Sequence, residues 1–380
     1  MRFLRKSNSE KTIIIISDLH LGAGHFYNGK RNVLEDFYHD EELIDFLTYY
    51  STGEYSSKPV ELVINGDFLD FLAVPFVPFF DDEFWSEEAS YEKLERILEA
   101  HPEVMKALIS FVEKKNKKII YIIGNHDAEM ILPKVMERFT EVFPVDLRNK
   151  VRIMNSNDSH NPHPKITIRH GHQYEFAHQF DLEKSMITSV KGRRYFLPPW
   201  GSYFVTRVIN KFKEERSYIN EVKPIKNFII HGMIFDTLFT TRFIFAVCYY
   251  FIMVHYIRFM KEYKKFDLMR FIEEGRRELA LFHDLEELCK EFFKSNPDQK
   301  VLIVGHTHDP SMREFADGNI YINTGTWTKM INLDFRKKRN GHILTYAQID
   351  IKKGKQEEKD FSVDLLCWRG KTDYPYDSFH

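Results

Sequence analysis

IIYIIGNHD, residues 119–127, is the stretch whose reading decides the fold. Apolar residues run unbroken from Ile119 to Ile123 and stop at Gly124-Asn125-His126-Asp127. A continuous, β-branched apolar run reads as a strand buried on both faces. A glycine followed by polar groups reads as the turn at its carboxyl end. The form recurs four times. Ile13–Ile16 stops at Ser17-Asp18, Glu61–Asn65 at Gly66-Asp67, Lys165–Arg169 at His170-Gly171, and Val301–Val304 at Gly305-His306. Helical patterns lie between the early runs, at 40–50, 91–116 and 130–139. Strands alternating with helices predict an α/β fold. Ligands in such sheets gather beyond the carboxyl ends of the strands, so the five polar clusters are expected to converge. After Arg148, Val151–Met154, Lys165–Arg169, Asn319–Asn323 and His342–Ile351 read as strands with few helices between them, which predicts a second sheet.

Composition narrows the class. The chain has 380 residues, enough for two domains or for one with a large insertion. Hydrophobic residues are 43% and charged residues 29%, a globular balance that excludes a disordered tail protein. Lys and Arg total 54 against 56 Asp and Glu, so nothing global draws the chain to nucleic acid. Cys248, Cys289 and Cys367 are far apart, which excludes a disulfide scaffold and a zinc finger and suits a reducing compartment. The charged N-terminus does not read as a secretory signal. Phe is 34 of 380, an excess that asks for a use of aromatic surface.

The chemistry lies in five blocks: Asp18-Leu19-His20, Gly66-Asp67, Gly124-Asn125-His126-Asp127, His170-Gly171-His172 and Gly305-His306-Thr307-His308. Together they offer carboxylate, amide and imidazole donors without thiolate, a set that suits Mn²⁺, Fe or Zn²⁺ better than Ca²⁺. Single-residue spacing in Asp18/His20 and His306/His308 turns each pair to one face of an extended segment. The glycines are expected to let the backbone turn sharply there. Asp127 reads as a brace for the loop. His172 reads either as support for a ligand or as a turn residue. His25 and Arg31 follow the first block, where they would reach a substrate phosphate or sit in a solvated loop. His160 and His163 read as surface groups, and Asn323–Trp327 as a tight turn packed near the site.

This set resembles the calcineurin-like metallophosphoesterase superfamily, whose pattern is D-x-H, G-D, G-N-H-D/E, H and G-H-x-H. All five blocks occur here in that order, over residues 18–308. The resemblance implies a two-sheet αββα sandwich and a dinuclear metal centre. It implies that Asp18, His20, Asp67 and His308 hold one metal, and that Asp67, Asn125, His170 and His306 hold the other. Asp67 would bridge them, and a bridging carboxylate reduces the repulsion between two cations about 4 Å apart. Manganese is the first expectation, with iron or zinc compatible. The implied reaction has a metal-bridging hydroxide attack phosphorus while His126 protonates the leaving group, oriented by Asp70.

Residues 176–298 interrupt the strand rhythm and read as an inserted helical cap, apolar and basic, on a core formed by 1–175 and 299–380. Lys191, Arg193, Arg194, Arg207, Lys211, Lys213 and Arg216 make it basic. The 15 residues 243–257 carry no formal charge, but a membrane span needs about 20, and Arg242 and Arg258 flank the run. The segment 228–257 therefore reads as cap core, as a dimer surface in a homodimer, or as a lipid-facing helix of a peripheral membrane protein. In design the chain is distantly similar to the UDP-2,3-diacylglucosamine hydrolases, which also cap a dimetal site. It carries His126 and His172 where that branch has Arg and Asp. The function expected is hydrolysis of a phosphodiester or pyrophosphate, of a lipid-linked substrate, by a cytoplasmic enzyme peripheral to the inner face of the membrane. The alternatives are a nucleotide or nucleic-acid phosphodiesterase and a non-catalytic membrane-associated scaffold.

Overall fold

The computed structural model describes residues 9–81, 84–155, 157–175, 177–223, 225–263, 269, 285–332, 343–352, 360–370, 372 and 375–379. Its centre is two facing sheets. The larger orders its strands Tyr376–Ser378, Phe361–Trp368, Thr345–Lys352, Ser9–Ile16, Val60–Asn65, Lys117–Ile122 and Val151–Met154. Ser9–Ile16, Val60–Asn65, Lys117–Ile122 and Val151–Met154 pair in parallel, so their carboxyl ends share one edge. The smaller sheet orders Ser311–Glu314, Ile320–Asn323, Val301–Val304, Ile166–Ile168 and His160–His163.

Side-chain alternation explains the layers. Ile13, Ile15, Val63, Ile120 and Ile122 face the second sheet, where they meet Ile166, Ile168, Val301, Ile303 and Ile322. Their neighbours Ile14, Ile16, Leu62, Ile64, Ile119 and Tyr121 face the other way. There they pack with Leu43, Phe46, Leu94, Leu108 and Val135 from four helices. A strand buried on both faces has no polar side, which is why these runs read as unbroken apolar stretches. Beyond the second sheet, Phe293 of the helix Leu285–Ser295 covers Leu302, Val304 and Tyr321. The order helices, sheet, sheet, helix is the expected αββα sandwich.

Two details differ from the sequence reading. Val151–Met154 and the strand expected at His342–Ile351, observed as Thr345–Lys352, join the first sheet. Partner choice follows from long-range pairing, which an apolar run does not encode. The helix expected over 91–116 is two helices, Glu87–Ala100 and Pro102–Glu113. Pro102 cannot donate into the preceding helix, but it suits the first turn of the next.

The segment expected as a helical cap also carries strands: Met186–Thr188 and Arg194–Phe196 pair in a three-stranded sheet with Trp85–Ser86. The helices Ile225–Phe235 and Thr237–Tyr263 follow. Residues 268–294, whose sequence reads as a charged amphipathic helix, lie mostly outside the described residues. Phe239, Phe243 and Tyr250 of the long helix pack inward with Val208, Ile219 and Phe228. Leu238, Phe245, Tyr249 and Ile252 of the same helix are exposed. Among the described residues, no helix is long and apolar enough to cross a membrane. The basic cluster is partly neutralised within the fold. Lys213 lies 2.7 Å from Asp36, Arg216 2.8 Å from Asp236, and Arg242 2.8 Å from Glu215.

Candidate metal centre

The five blocks end five strands and meet at one place. Among the described residues, eight non-glycine residues have positive φ, and five of them are Asp18, His20, Asp67, His306 and His308. The left-handed conformation costs a side-chain-bearing residue roughly 1–2 kcal/mol. Its concentration here shows that the ligand-bearing residues make the turns themselves. Gly124 and Gly305 lack positive φ and serve a different purpose from the turning expected of them. A Cβ on Gly124 would lie 2.2 Å from Asp67 Oδ1, and one on Gly305 2.3 Å from Asp18 Oδ2. These glycines make room for the carboxylates.

The side chains form two adjoining groups. The ligand atoms of Asp18, His20 and His308 lie within 4.8 Å of one another, and so do those of Asp67, His170 and His306. His170 Nε2 is 3.2 Å from Asp67 Oδ2 and 3.2 Å from Asn125 Oδ1, which adds the amide to the second group. All seven expected ligands therefore gather. The backbone N–H of His306 donates to Asp18 at 2.9 Å, and that of His126 to Asp67 Oδ1 at 2.8 Å. Ser17 Oγ also donates to Asp18. The expected tight turn packs behind it, with Thr324 Oγ1 2.6 Å from Ser17 Oγ.

Asp70 stands between two imidazoles. Its carboxylate accepts from His126 Nδ1 at 3.0 Å and from His20 Nδ1 at 3.1 Å. A carboxylate only accepts, so both rings carry a hydrogen on Nδ1, which leaves Nε2 on the far side of the His20 ring. That nitrogen faces His308 Nε2 at 3.1 Å. His308 Nε2 is in turn 3.4 Å from Asp18 Oδ1. Convergent imidazole nitrogens beside two buried carboxylates and an amide oxygen fit divalent transition-metal ions. The sequence reading paired Asp70 with His126 alone; the contact to His20 is additional.

Charge is concentrated here. Burial alone would raise the Asp67 carboxyl, but His170, His126 and His20 hold it well below the usual carboxylate range. Burial disfavours a charged His126, yet Asp70 and Asp67 outweigh it and lift the imidazole to about 9. Burial and the Asp67 charge push Asp127 up to about 7. Both Asp127 oxygens are engaged, by Phe68 N–H at 3.0 Å, by the Tyr121 hydroxyl at 2.6 Å and by Gly124 N–H. These bonds tie the Gly124 turn to Phe68 and Tyr121.

The remaining expected groups divide. His172 is fully buried, has no hydrogen-bond partner on either ring nitrogen among the described residues, and stacks on Phe180 with centroids 5.3 Å apart. Its ring centroid is 5.4 Å from that of His170. His25 stacks on Tyr38 at 4.1 Å, and Arg31 is exposed on the hairpin of Phe26–Tyr27 with Lys30–Arg31. The structure brings neither to the metal cluster. His160 is not a free surface group: its Nε2 lies 2.7 Å from Glu61 Oε1.

Two groups went unnoticed in the sequence. Glu175 Oε2 lies 2.9 Å from His306 Nε2, and His178 Nδ1 lies 3.4 Å from Asn125 Nδ2. Burial and His306 push His178 down to about 3, which leaves it neutral. The available signal was an acid and a histidine three residues apart, directly after His170-Gly171-His172.

A cavity of about 160 Å³ adjoins the cluster. His20, Asp70, His126 and His308 form one wall; Val205, Ile209, Asn210, Lys213 and Glu221 form another.

The profile of the family described as calcineurin-like phosphoesterase matches residues 11–310. No curated protein matches the chain. A dimetal phosphatase from Danio rerio is 12% identical, with 98% of this chain and 100% of that one covered and a TM-score of 0.38. Vacuolar Protein Sorting 29 from Cryptosporidium parvum is 14% identical over 98% of each chain, with a TM-score of 0.29. A 5'-nucleotidase from Candida albicans is 11% identical over 94% of this chain and 51% of its own, with a TM-score of 0.30.

Proposed function

Since the chain belongs to the calcineurin-like phosphoesterase family and is a metal-dependent phosphoester hydrolase, we propose that it cleaves a phosphodiester or pyrophosphate with His126 as general acid. The observation that carries this reading is the position of His126. Its Nδ1 is held by Asp70 at 3.0 Å, and its ring lines the cavity that the cluster shares with residues 205–221. Asp18, His20, Asp67 and His308 would hold one divalent metal, and Asp67, Asn125, His170 and His306 the other. When bound, the pair supplies Lewis acidity toward phosphoryl oxygens and lowers the pKa of water toward about 7. Asp67 ties the half-sites together. Asp70 fixes His126 so that Nε2 is the nitrogen offered to the leaving oxygen. The wall formed by 205–221 gives a second substituent somewhere to sit, which supports a diester or pyrophosphate over a monoester.

Chelator-stripped protein is expected to hydrolyse bis-p-nitrophenyl phosphate only after metal is restored, with Mn²⁺ more effective than Zn²⁺. Activity should exceed that toward p-nitrophenyl phosphate. Metal-independent turnover, or a clear preference for the monoester, would sink the reading.

A lipid-linked substrate is supported by the helical hairpin. Phe235 is 84% exposed and Leu238 76% exposed at its tip, and Phe245, Tyr249 and Ile252 continue the apolar face. A membrane surface would cover such a face, with the enzyme peripheral. Full-length protein is expected to float with phosphatidylglycerol vesicles. The F235D/L238D double variant should stay behind yet keep its hydrolysis of bis-p-nitrophenyl phosphate. A wild-type protein that sediments as a dimer and does not float would assign the face to a second copy instead.

A further inference from the structure

We propose that Glu175 and His178 are positioning residues for the second metal, each holding one of its ligands from behind. The inference rests on the dimetal reading above. The Glu175 carboxylate lies 2.9 Å from His306 Nε2. An ionised carboxylate accepts only, so that nitrogen carries the hydrogen and the lone pair of the neutral ring is left on Nδ1. Carboxylates placed in this way on metal-ligating imidazoles fix the tautomer and raise ligand basicity.

His178 acts on the other ligand. Asn125 Nδ2 is 3.4 Å from His178 Nδ1, and Asn125 Oδ1 is 3.2 Å from His170 Nε2. An amide presents oxygen on one side and N–H on the other, and only the oxygen serves a cation. Donating its N–H to His178 keeps the oxygen turned toward His170.

Both residues sit on one turn, in which the N–H of His178 donates to Glu175 O at 2.9 Å. The turn is fastened to the helix Trp200–Phe204, where Gly201 N–H donates to Ala177 O at 2.9 Å. A Cβ at Gly201 would meet the His178 ring at 2.6 Å, so only glycine allows this approach. The other half-site has its own carboxylate on imidazole, Asp70 on His20 at 3.1 Å, supplied by an unrelated segment. The two half-sites are thus braced alike. Here the brace comes from where the chain leaves the core, which links the second metal to the start of the insertion.

The test is Mn²⁺ titration of stripped wild-type protein and the E175A, E175Q and H178A variants. Calorimetry reads stoichiometry and affinity, electron paramagnetic resonance reads coupling between the ions, and thermal melts verify folding. Wild type is expected to bind two ions. E175A and H178A should each weaken the second ion by roughly 10–100-fold and leave the first unchanged. At one bound equivalent, the signal of isolated Mn²⁺ should then replace the coupled one. E175Q, which keeps an acceptor oxygen, should recover part of the loss. Wild-type binding of both ions in E175A and H178A would overturn the proposal, as would equal weakening of both ions. Three ions in wild type, one of them lost in E175A, would also overturn it by making Glu175 a ligand of a separate site. A wild-type protein that binds fewer than two ions would instead overturn the dimetal reading, and this inference with it.

Discussion

Replacing Asp67 with alanine is expected to abolish hydrolysis and to disperse the metal pair. No other side chain belongs to both proposed half-sites. Its Oδ2 lies 3.2 Å from His170 Nε2, and its Oδ1 accepts the backbone N–H of His126 at 2.8 Å. The carboxylate sits among His170, His126 and His20, which hold it well below the usual carboxylate range. Two divalent cations at close range need an anion between them. Removing that anion forfeits charge stabilisation of several kcal/mol, hence roughly 10³-fold or more in rate. Asp67 is buried with φ 51°, so D67A also leaves polar groups unsatisfied, and its melting temperature needs checking. D67N separates the effects. Asparagine tolerates left-handed backbone and can still accept from His126, but it carries no charge. D67N is expected to fold, to hold one Mn²⁺ or none, and to be inactive. D67N with two bound ions and activity within tenfold of wild type would remove Asp67 from the bridging position.

Much of this was legible in the sequence because both signals are local. A strand buried on both faces leaves an unbroken apolar run, and the residues that end it converge in one cluster. Ile119–Ile123 followed by Gly124-Asn125-His126-Asp127 shows both at once. What escaped the reading depends on distant partners. Thr345–Lys352 has the composition of either sheet, and only its pairing with Ser9–Ile16 assigns it to the first. Asp70 was visible as a partner for His126, but its hold on His20 requires the first and second loops to lie side by side. Glu175 and His178 fell at the edge of a segment read as cap, and only the return of that turn against His306 and Asn125 places them beside the site. The glycines were read as turning residues, and Gly66 and Gly171 do take positive φ; Gly124 and Gly305 instead leave space beside the carboxylates, and five of the ligand residues turn as well.

Replacing His126 with alanine is expected to leave both metals bound and to slow the chemical step by about 10²–10⁴-fold, the range for a positioned acid or base. The ring lies close enough to His20 and Asp67 to join them around a metal, so the alternative role has a definite geometry. Asp70 holds Nδ1 of both rings, at 3.0 Å for His126 and 3.1 Å for His20, so the metal content of the variant is what separates acid from ligand. His20 keeps its own bond to Asp70 Oδ2 at 3.1 Å when the neighbouring ring is removed, so the first half-site stays braced. A general acid matters most when the departing oxygen is strongly basic. The deficit of H126A should therefore be small for a p-nitrophenyl ester and large for an alkyl ester of the same phosphate. The measurement is kcat across a series of leaving groups, paired with the metal content of each preparation. A deficit that is the same for every leaving group would deny His126 the proton transfer. Loss of one metal from H126A would make it a ligand, and the search for the acid would then move to the cationic groups of the cavity wall, Lys213 and Lys329.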